Sequence, residues 1–241
     1  MNREGLERFV ATLEASDKRY AEKWSDEALV WEEFGIYERL AEHIQLDSGK
    51  IHLDVGCGLG NLLFRLKQKR PEAAIIGMDR NPCMMQGAAR ILGSKGHIVV
   101  AHGSLAFRAE QQGQKIIVGR QFDVDAERAQ GIDILAPNTN SIFLILDDIR
   151  SHRVLNFILG PRKIDSASFV FPGTSGSDVY EAPFEIALLD RAGETNRLMQ
   201  AMNETRRTVF EALAQLTKTN GRLILVERIL QTDPDLDVPQ A

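Results

Sequence analysis

The segment Leu53-Asp-Val-Gly-Cys-Gly-Leu-Gly60 holds the residues whose types and spacing point most directly to chemistry. Glycine at every second position lets a chain turn sharply and approach a ligand closely. The helix expected after it presents unpaired N–H groups and the positive end of its dipole to an anionic group. Asp79 closes the next apolar run and offers two acceptor oxygens, which suit two adjacent hydroxyl donors. A third apolar run, Ser141 to Leu146, ends in Asp147-Asp148. Together these describe a nucleotide-like site built at strand ends. The register disfavours NAD: in G-x-G-x-x-G counted from Gly56 the third glycine falls on Asn61, and counted from Gly58 it falls on Leu63. No G-x-x-x-x-G-K-[ST] phosphate loop occurs.

Other chemistry-bearing residues form weaker patterns. His43, His52, His97, His102 and His152 show no H-E-x-x-H spacing, so no metal is expected. Cys57 lies in the glycine turn, where a small apolar residue fits, and a nucleophilic role would need a base. Ser175 lies outside any G-x-S-x-G elbow. The stretch from Arg150 to Lys163 is the most basic and reads either as a solvated helix face or as a nucleic-acid contact. Tyr20, Trp24, Trp31, Phe34 and Tyr37 form an aromatic series that either packs as core or covers a ligand.

The elements that must position these groups follow from periodicity. Leu6, Phe9, Val10 and Leu13, then Ile36, Tyr37, Leu40 and Ile44, recur at helical spacing and predict an N-terminal helical cap over residues 1–48. After Gly49 the pattern alternates. Strand Ile51 to Val55, helix Asn61 to Arg70, strand Ala73 to Met78 and helix Pro82 to Leu92 make a βαβα unit. Residues 96–140 read as an insertion with short apolar pieces at Ile98 to Val100, Ile116 to Val118 and Ile132 to Leu135. Regular alternation resumes with strand Ser141 to Leu146, a helical stretch from Arg153 to Leu159, and strand Ala167 to Phe171. Next come a loop at Pro172 to Ser177, a long helix from Glu194 to Lys218, and strand Leu223 to Val226. Residues 231–241 read as a tail. The pattern predicts an α/β fold, a Rossmann-like and mostly parallel sheet with helices on both faces, over residues 49–230. Its ligand crevice should lie at the carboxyl ends of the strands.

Composition narrows the class. The 241 residues are 44% hydrophobic and 26% charged, enough for one sizeable core. A net charge of −5 provides no overall attraction for nucleic acid or anionic lipid. Two cysteines make no disulfide framework, the first residues lack the apolar core of a signal peptide, and no apolar run approaches a membrane span. The expectation is a soluble cytoplasmic protein.

Leu53-Asp-Val-Gly-Cys-Gly-Leu-Gly60 followed, one helix later, by Ile76-Gly-Met-Asp79 resembles the first two motifs of class I S-adenosylmethionine-dependent methyltransferases. The resemblance implies that Asp54, Gly56, Cys57 and Gly58 pass beside the methionine part of S-adenosylmethionine. It also implies that Asp79, with Arg80 beside it, takes the ribose hydroxyls. Phe143-Leu-Ile-Leu-Asp-Asp-Ile149 resembles the family's third strand. There Asp148, or Asp147 if the strand ends one residue earlier, would accept from the adenine amine, and Ile149 would pack on the ring. Phe171 and Pro172 stand where the family places a loop beside the methyl group. They lack the Asn or Asp that amino-methylating members carry there. No residue is assigned as a catalytic base.

The resemblance implies a methyltransferase; the acidic balance and the short N-terminal cap favour a small-molecule acceptor, with Tyr20, Trp24, Trp31 and Pro172 as the expected acceptor wall. RNA methylation and a non-catalytic cofactor-binding role are the alternatives. The family's sheet has seven strands, and here the closing antiparallel pair is missing unless the insertion or another subunit supplies it. Leu223 to Val226 is therefore a candidate contact edge, consistent with a homodimer.

Overall fold

A computed structural model describes residues 15–79, 81–94, 98–103, 116–118, 135, 141–170, 204 and 207–226. The predicted first helical stripe, Arg80, the loop with Phe171 and Pro172, most of the insertion and the tail lie outside these residues.

Strands β1 (Ile51–Val55), β2 (Ala74–Asp79), β3 (Ile98–Gly103), β4 (Ile116–Val118), β5 (Ser141–Leu146), β6 (Ile164–Val170) and β7 (Thr217–Val226) form one seven-stranded sheet. Its order is β4-β3-β5-β2-β1-β6-β7, and every pair is parallel. All five residues of β1 are buried, as a central parallel strand covered on both faces requires. The chain runs from β1 outward through β2 to β5 on one side and returns to β6 on the other. This puts a topological switch, and hence a crevice, at the carboxyl ends of β1 and β6.

Period-two alternation sorts the strand residues into two apolar layers. Leu53, Ile76, Met78 and Ile145 face Leu155 and Ile158 of α5 (Arg153–Leu159), whose cluster also takes Val209 and Leu213 from the helical residues 207–216. Ile75 and Leu144 face the opposite layer, built from α2 (Ile36–His43), α3 (Asn61–Lys69) and α4 (Pro82–Ser94). The cap is thus part of the core: Tyr37 and Ala41 of α2 are buried with Leu62 and Leu66 of α3. The preceding helix α1 (Ala15–Glu33) reaches α2 through Gly35, at φ 65°. Arg65 of α3 pairs with Glu32 of α1 and lies 3.5 Å from Glu38, while Lys69 pairs with Glu38 at 2.5 Å and Glu42 at 3.3 Å. These partly exposed pairs fix register more than they stabilise. Lys67 is buried instead. Its Nζ donates to the Ala73 carbonyl at 2.9 Å across the turn into β2, and burial lowers its pKa to about 8.

Two expectations need correction. The predicted helix to Lys218 ends at residue 216, and β7 begins at Thr217, six residues before Leu223. The register jumps from Ile164↔Thr217 to Ser166↔Arg222, so residues 218–221 bulge, and a Cβ on Gly221 would lie 2.2 Å from the Thr217 Cγ2. Second, the insertion supplies two strands, but they run parallel on the far edge beside β5 and do not close the β7 side. Among the described residues β7 pairs only with β6, and Leu223 and Leu225 are exposed.

Gly77 is where close packing leaves least room. A Cβ there would lie 2.4 Å from Leu63 Cδ1 and 2.9 Å from Cys57 Sγ, both of them in the core. Gly77→Ala is expected to cost about 1–3 kcal/mol, read as a lower denaturant midpoint with an unchanged slope.

Candidate functional site

The three glycines of the turn all adopt left-handed backbone, at φ 69° for Gly56, 54° for Gly58 and 77° for Gly60. Their alternate spacing has that physical reason, since a side chain would be strained at each. The Met78 carbonyl of β2 accepts from the Gly56 N–H at 2.8 Å and from the Cys57 N–H at 3.1 Å, tying the turn to the neighbouring strand. Gly60 is the N-cap of α3 and has no side chain to fill that role, so no side-chain oxygen competes for the helix's first N–H groups. Cys57 points inward beside Met85, with its Sγ 3.8 Å from the Met85 sulfur. Burial, with Asp79 and Asp54 nearby, pushes its thiol pKa up, which suits packing and opposes nucleophilic use.

Asp54 is the penultimate residue of the strand leading into the turn and is buried. Its Oδ1 accepts from the Ser168 hydroxyl at 2.6 Å. Burial raises its pKa to about 7, the Asp79 carboxylate adds to the rise, and the Ser168 hydrogen bond opposes it. Tyr37 of α2 covers this face; burial and the Asp54 charge raise its pKa, while its hydrogen bond with Asn61 opposes the rise. Asp79 lies across the turn. Its Oδ2 accepts from the Gly58 N–H at 3.0 Å and its Oδ1 from the Asn81 N–H at 2.8 Å. Both oxygens are thus acceptors at the end of β2. Two carboxylates therefore flank three left-handed glycines at adjacent strand ends, an arrangement that can take a cation together with vicinal hydroxyls.

The acids after β5 divide their work. Asp147 accepts from the Asp148 N–H, the Ser151 hydroxyl and the Val154 N–H, which fastens the loop to the start of α5. The Asp148 carboxylate is gripped by Arg150, whose Nε lies 2.9 and 3.0 Å from its two oxygens and whose Nη2 reaches the second. Ile149 is buried in the core layer with Leu155. Trp31 stacks edge-on against Tyr37, with ring centroids 6.3 Å apart, and packs against the core, while Trp24 is half-buried on α1. Tyr20 lies on α1, and its side chain is not among those described. Arg80, Phe171 and Pro172 fall outside the described residues.

Tyr37 enters the sequence reading only as one of the aromatic series, and His52, Ser166 and Ser168 have no role in its account of this site. The one signal for them was polar residues at alternate positions of strands that are otherwise apolar, His52 and Asp54 in one and Ser166 and Ser168 in the other. Among the described residues no group of three or more His, Cys, Asp or Glu could hold a metal ion. None of the described helices is long and apolar enough to cross a membrane.

With this geometry in hand the comparisons are informative about class. Residues 46–133, which include the glycine turn and Asp79, match the family model described as a methyltransferase domain. The match spans less than half of the chain's 241 residues. No curated protein matches the sequence. Among solved structures it is similar to the plantazolicin methyltransferase BpumL in complex with a pentazolic desmethylPZN analog and SAH, at 14% identity and TM-score 0.43, over 94% of this chain and 62% of that one. It is also similar to the sugar N-methyltransferase KedS8 from Streptoalloteichus sp., at 16% identity and TM-score 0.35, over 80% and 46%. An S-adenosylmethionine-dependent methyltransferase from Clostridium acetobutylicum matches at 16% identity and TM-score 0.35, over 89% and 51%. The chain spans roughly half to three fifths of the length of these structures.

Burying Asp54 has a stability consequence. Its folded pKa of about 7 lies above the unfolded 3.8, so the penalty is absent below the unfolded value and complete once pH exceeds the folded one. Asp54→Asn is expected to be more stable than wild type by on the order of 1–3 kcal/mol at pH 8. The gap should close toward pH 4, which urea denaturation across that range would show. Equal stability at pH 8 would refute the assignment.

Proposed function

We propose that the domain binds S-adenosylmethionine across the glycine turn and transfers its methyl group to a small-molecule acceptor. The observation that carries this reading is the pairing of Asp54 and Asp79 around three left-handed glycines at the carboxyl ends of β1 and β2. When bound, the cofactor supplies an electrophilic methyl on a sulfonium. The chain's residues then bind and orient. Asp79 takes the ribose hydroxyls, and Asp54 faces the cationic end. Gly56, Cys57 and Gly58 let the backbone approach. Asp148 meets the adenine amine with an oxygen shared with Arg150, and Arg80, Ile149 and Phe171 complete the cofactor wall. A sulfonium needs mainly near-attack alignment and exclusion of water, so no dedicated base is required. Tyr20, Trp24, Trp31 and Pro172 form the acceptor wall in this reading. Cytoplasmic location and self-association through β7 belong to the same proposal.

Two cations of the basic stretch after β5 are already engaged within the chain. Arg150 is committed to Asp148, and Lys163 donates to the Gln215 carbonyl at 2.5 Å. A small acceptor fits better.

Calorimetry should find micromolar binding of S-adenosylmethionine and S-adenosylhomocysteine and none of NAD. Asp79→Asn, which keeps one acceptor oxygen, should weaken binding by ~1–3 kcal/mol. Absence of wild-type binding would overturn the cofactor reading. Methyl-labelled cofactor should then label the low-mass fraction of a cell extract and leave RNA unlabelled.

Binding should also be linked to protons. Asp54, with a pKa of about 7, must ionise to meet a cation, and the groups facing it are Ser168, Asp79, Tyr37 and Cys57. Affinity is expected to rise with pH through 7 and flatten above it, with proton release visible as a buffer-dependent heat. A flat profile from pH 6 to 8 would remove Asp54 from the site.

A further inference from the structure

A stripe of four buried polar residues crosses the β1–β6 seam. The parallel register sets His52 opposite Ser166 and Asp54 opposite Ser168. All four are buried, at 0% exposure for His52, 3% for Ser166, 1% for Ser168 and 3% for Asp54. His52 Nδ1 lies 2.7 Å from Ser166 Oγ, His52 Nε2 lies 3.0 Å from Ser168 Oγ, and Ser168 Oγ lies 2.6 Å from Asp54 Oδ1. Buried polar groups persist only when bonded, and here each joins the next in one unbranched line.

Counting protons gives that line a direction. An ionised carboxylate only accepts, so Ser168 spends its one O–H on Asp54. Its oxygen must then accept from His52, which requires the proton on Nε2. A neutral ring then has a bare Nδ1, which accepts from the Ser166 hydroxyl. Burial holds the His52 pKa down to about 3, which keeps the ring neutral. If Asp54 is protonated, every donor and acceptor can exchange roles: Asp54 donates to Ser168, Ser168 to Nε2, and Nδ1–H to Ser166. The same four residues thus have two complete hydrogen-bond patterns, and the charge on Asp54 selects between them. The line ends on Oδ1, and Oδ2 takes no hydrogen bond from the described residues.

We propose that Ser166, His52 and Ser168 are positioning residues for the cofactor site, a one-way donor chain that presents Asp54 as a charged acceptor to the cation and whose histidine tautomer follows occupancy. The inference rests on the reading of Asp54 as a cofactor carboxylate. A cation at Asp54 favours the pattern with Nε2–H, and that pattern in turn favours the ionised Asp54, so the two reinforce each other.

The test combines nitrogen NMR on histidine-labelled wild type with calorimetry on variants. The His52 ring should be the neutral Nε2–H tautomer at pH 8. It should shift toward Nδ1–H at pH 6 and return to Nε2–H when S-adenosylmethionine is added at pH 6. A cationic ring at pH 6, or a tautomer indifferent to both pH and ligand, overturns the proposal without any variant. Ser168→Ala should bind S-adenosylmethionine about tenfold more weakly at pH 8, the scale of one hydrogen bond to a charged group. Its affinity-against-pH midpoint should move upward, and Ser168→Thr, which keeps the hydroxyl, should recover most of both. A folded Ser168→Ala with wild-type affinity and midpoint overturns the chain's role while leaving the cofactor reading intact. Wild type that binds no S-adenosylmethionine overturns both, a distinguishable result.

Discussion

A carboxylate sealed between two parallel strands constrains everything else in this molecule. Asp54 is largely shut off from bulk water, at 3% exposure on a strand buried along its length, and its charge is felt by Tyr37 of the cap. Its surroundings must therefore supply what solvent would. Ser168 does so from β6, and His52 and Ser166 back it from the next pair along the seam. The cap helix is consequently part of the site's dielectric as well as of its core. The ion pairs of Arg65 and Lys69 with α1 and α2 keep that cover in register.

The glycine turn works alongside the acid. Three left-handed residues in five let the chain pass from β1 to α3 while the Met78 carbonyl and the Asp79 carboxylate hold its N–H groups. Neighbouring strands thus shape the turn from outside, and the absence of side chains on the turn shapes it from within. Gly77 extends the same logic one strand over, where a bare backbone lets Cys57 and Leu63 pack down.

Local pattern was readable to the extent that local physics decided it. The glycine turn, the strand pieces at Ile51 to Val55 and Ser141 to Leu146, and the helix from Arg153 to Leu159 depend on near neighbours, and the observed bounds agree. Strand order did not show. The apolar pieces at Ile98 and Ile116 were visible, but their place on the far edge depends on β5, dozens of residues later. The start of β7 was missed because the helical period runs up to Leu216 and the bulge at Gly221 has no hydrophobic signature. At the site, Asp54 and Asp79 could be named from spacing. His52 looked like a solitary histidine because its two partners lie 114 and 116 residues away. The grip of Arg150 on Asp148 is a rotamer choice that spacing alone does not encode.

That separation of 114 residues across the β1–β6 seam has a consequence for how the molecule comes into being. The first two strands and their helices are contiguous in sequence and can close quickly, with little loop entropy to overcome. The stretch 46–133 that matches the methyltransferase-domain model ends before β6, so a nascent chain of that length holds the whole glycine turn but leaves Asp54 without its serine. The hydrogen-bonded state of Asp54 is therefore a property of the completed sheet and arrives with one of its last pairings.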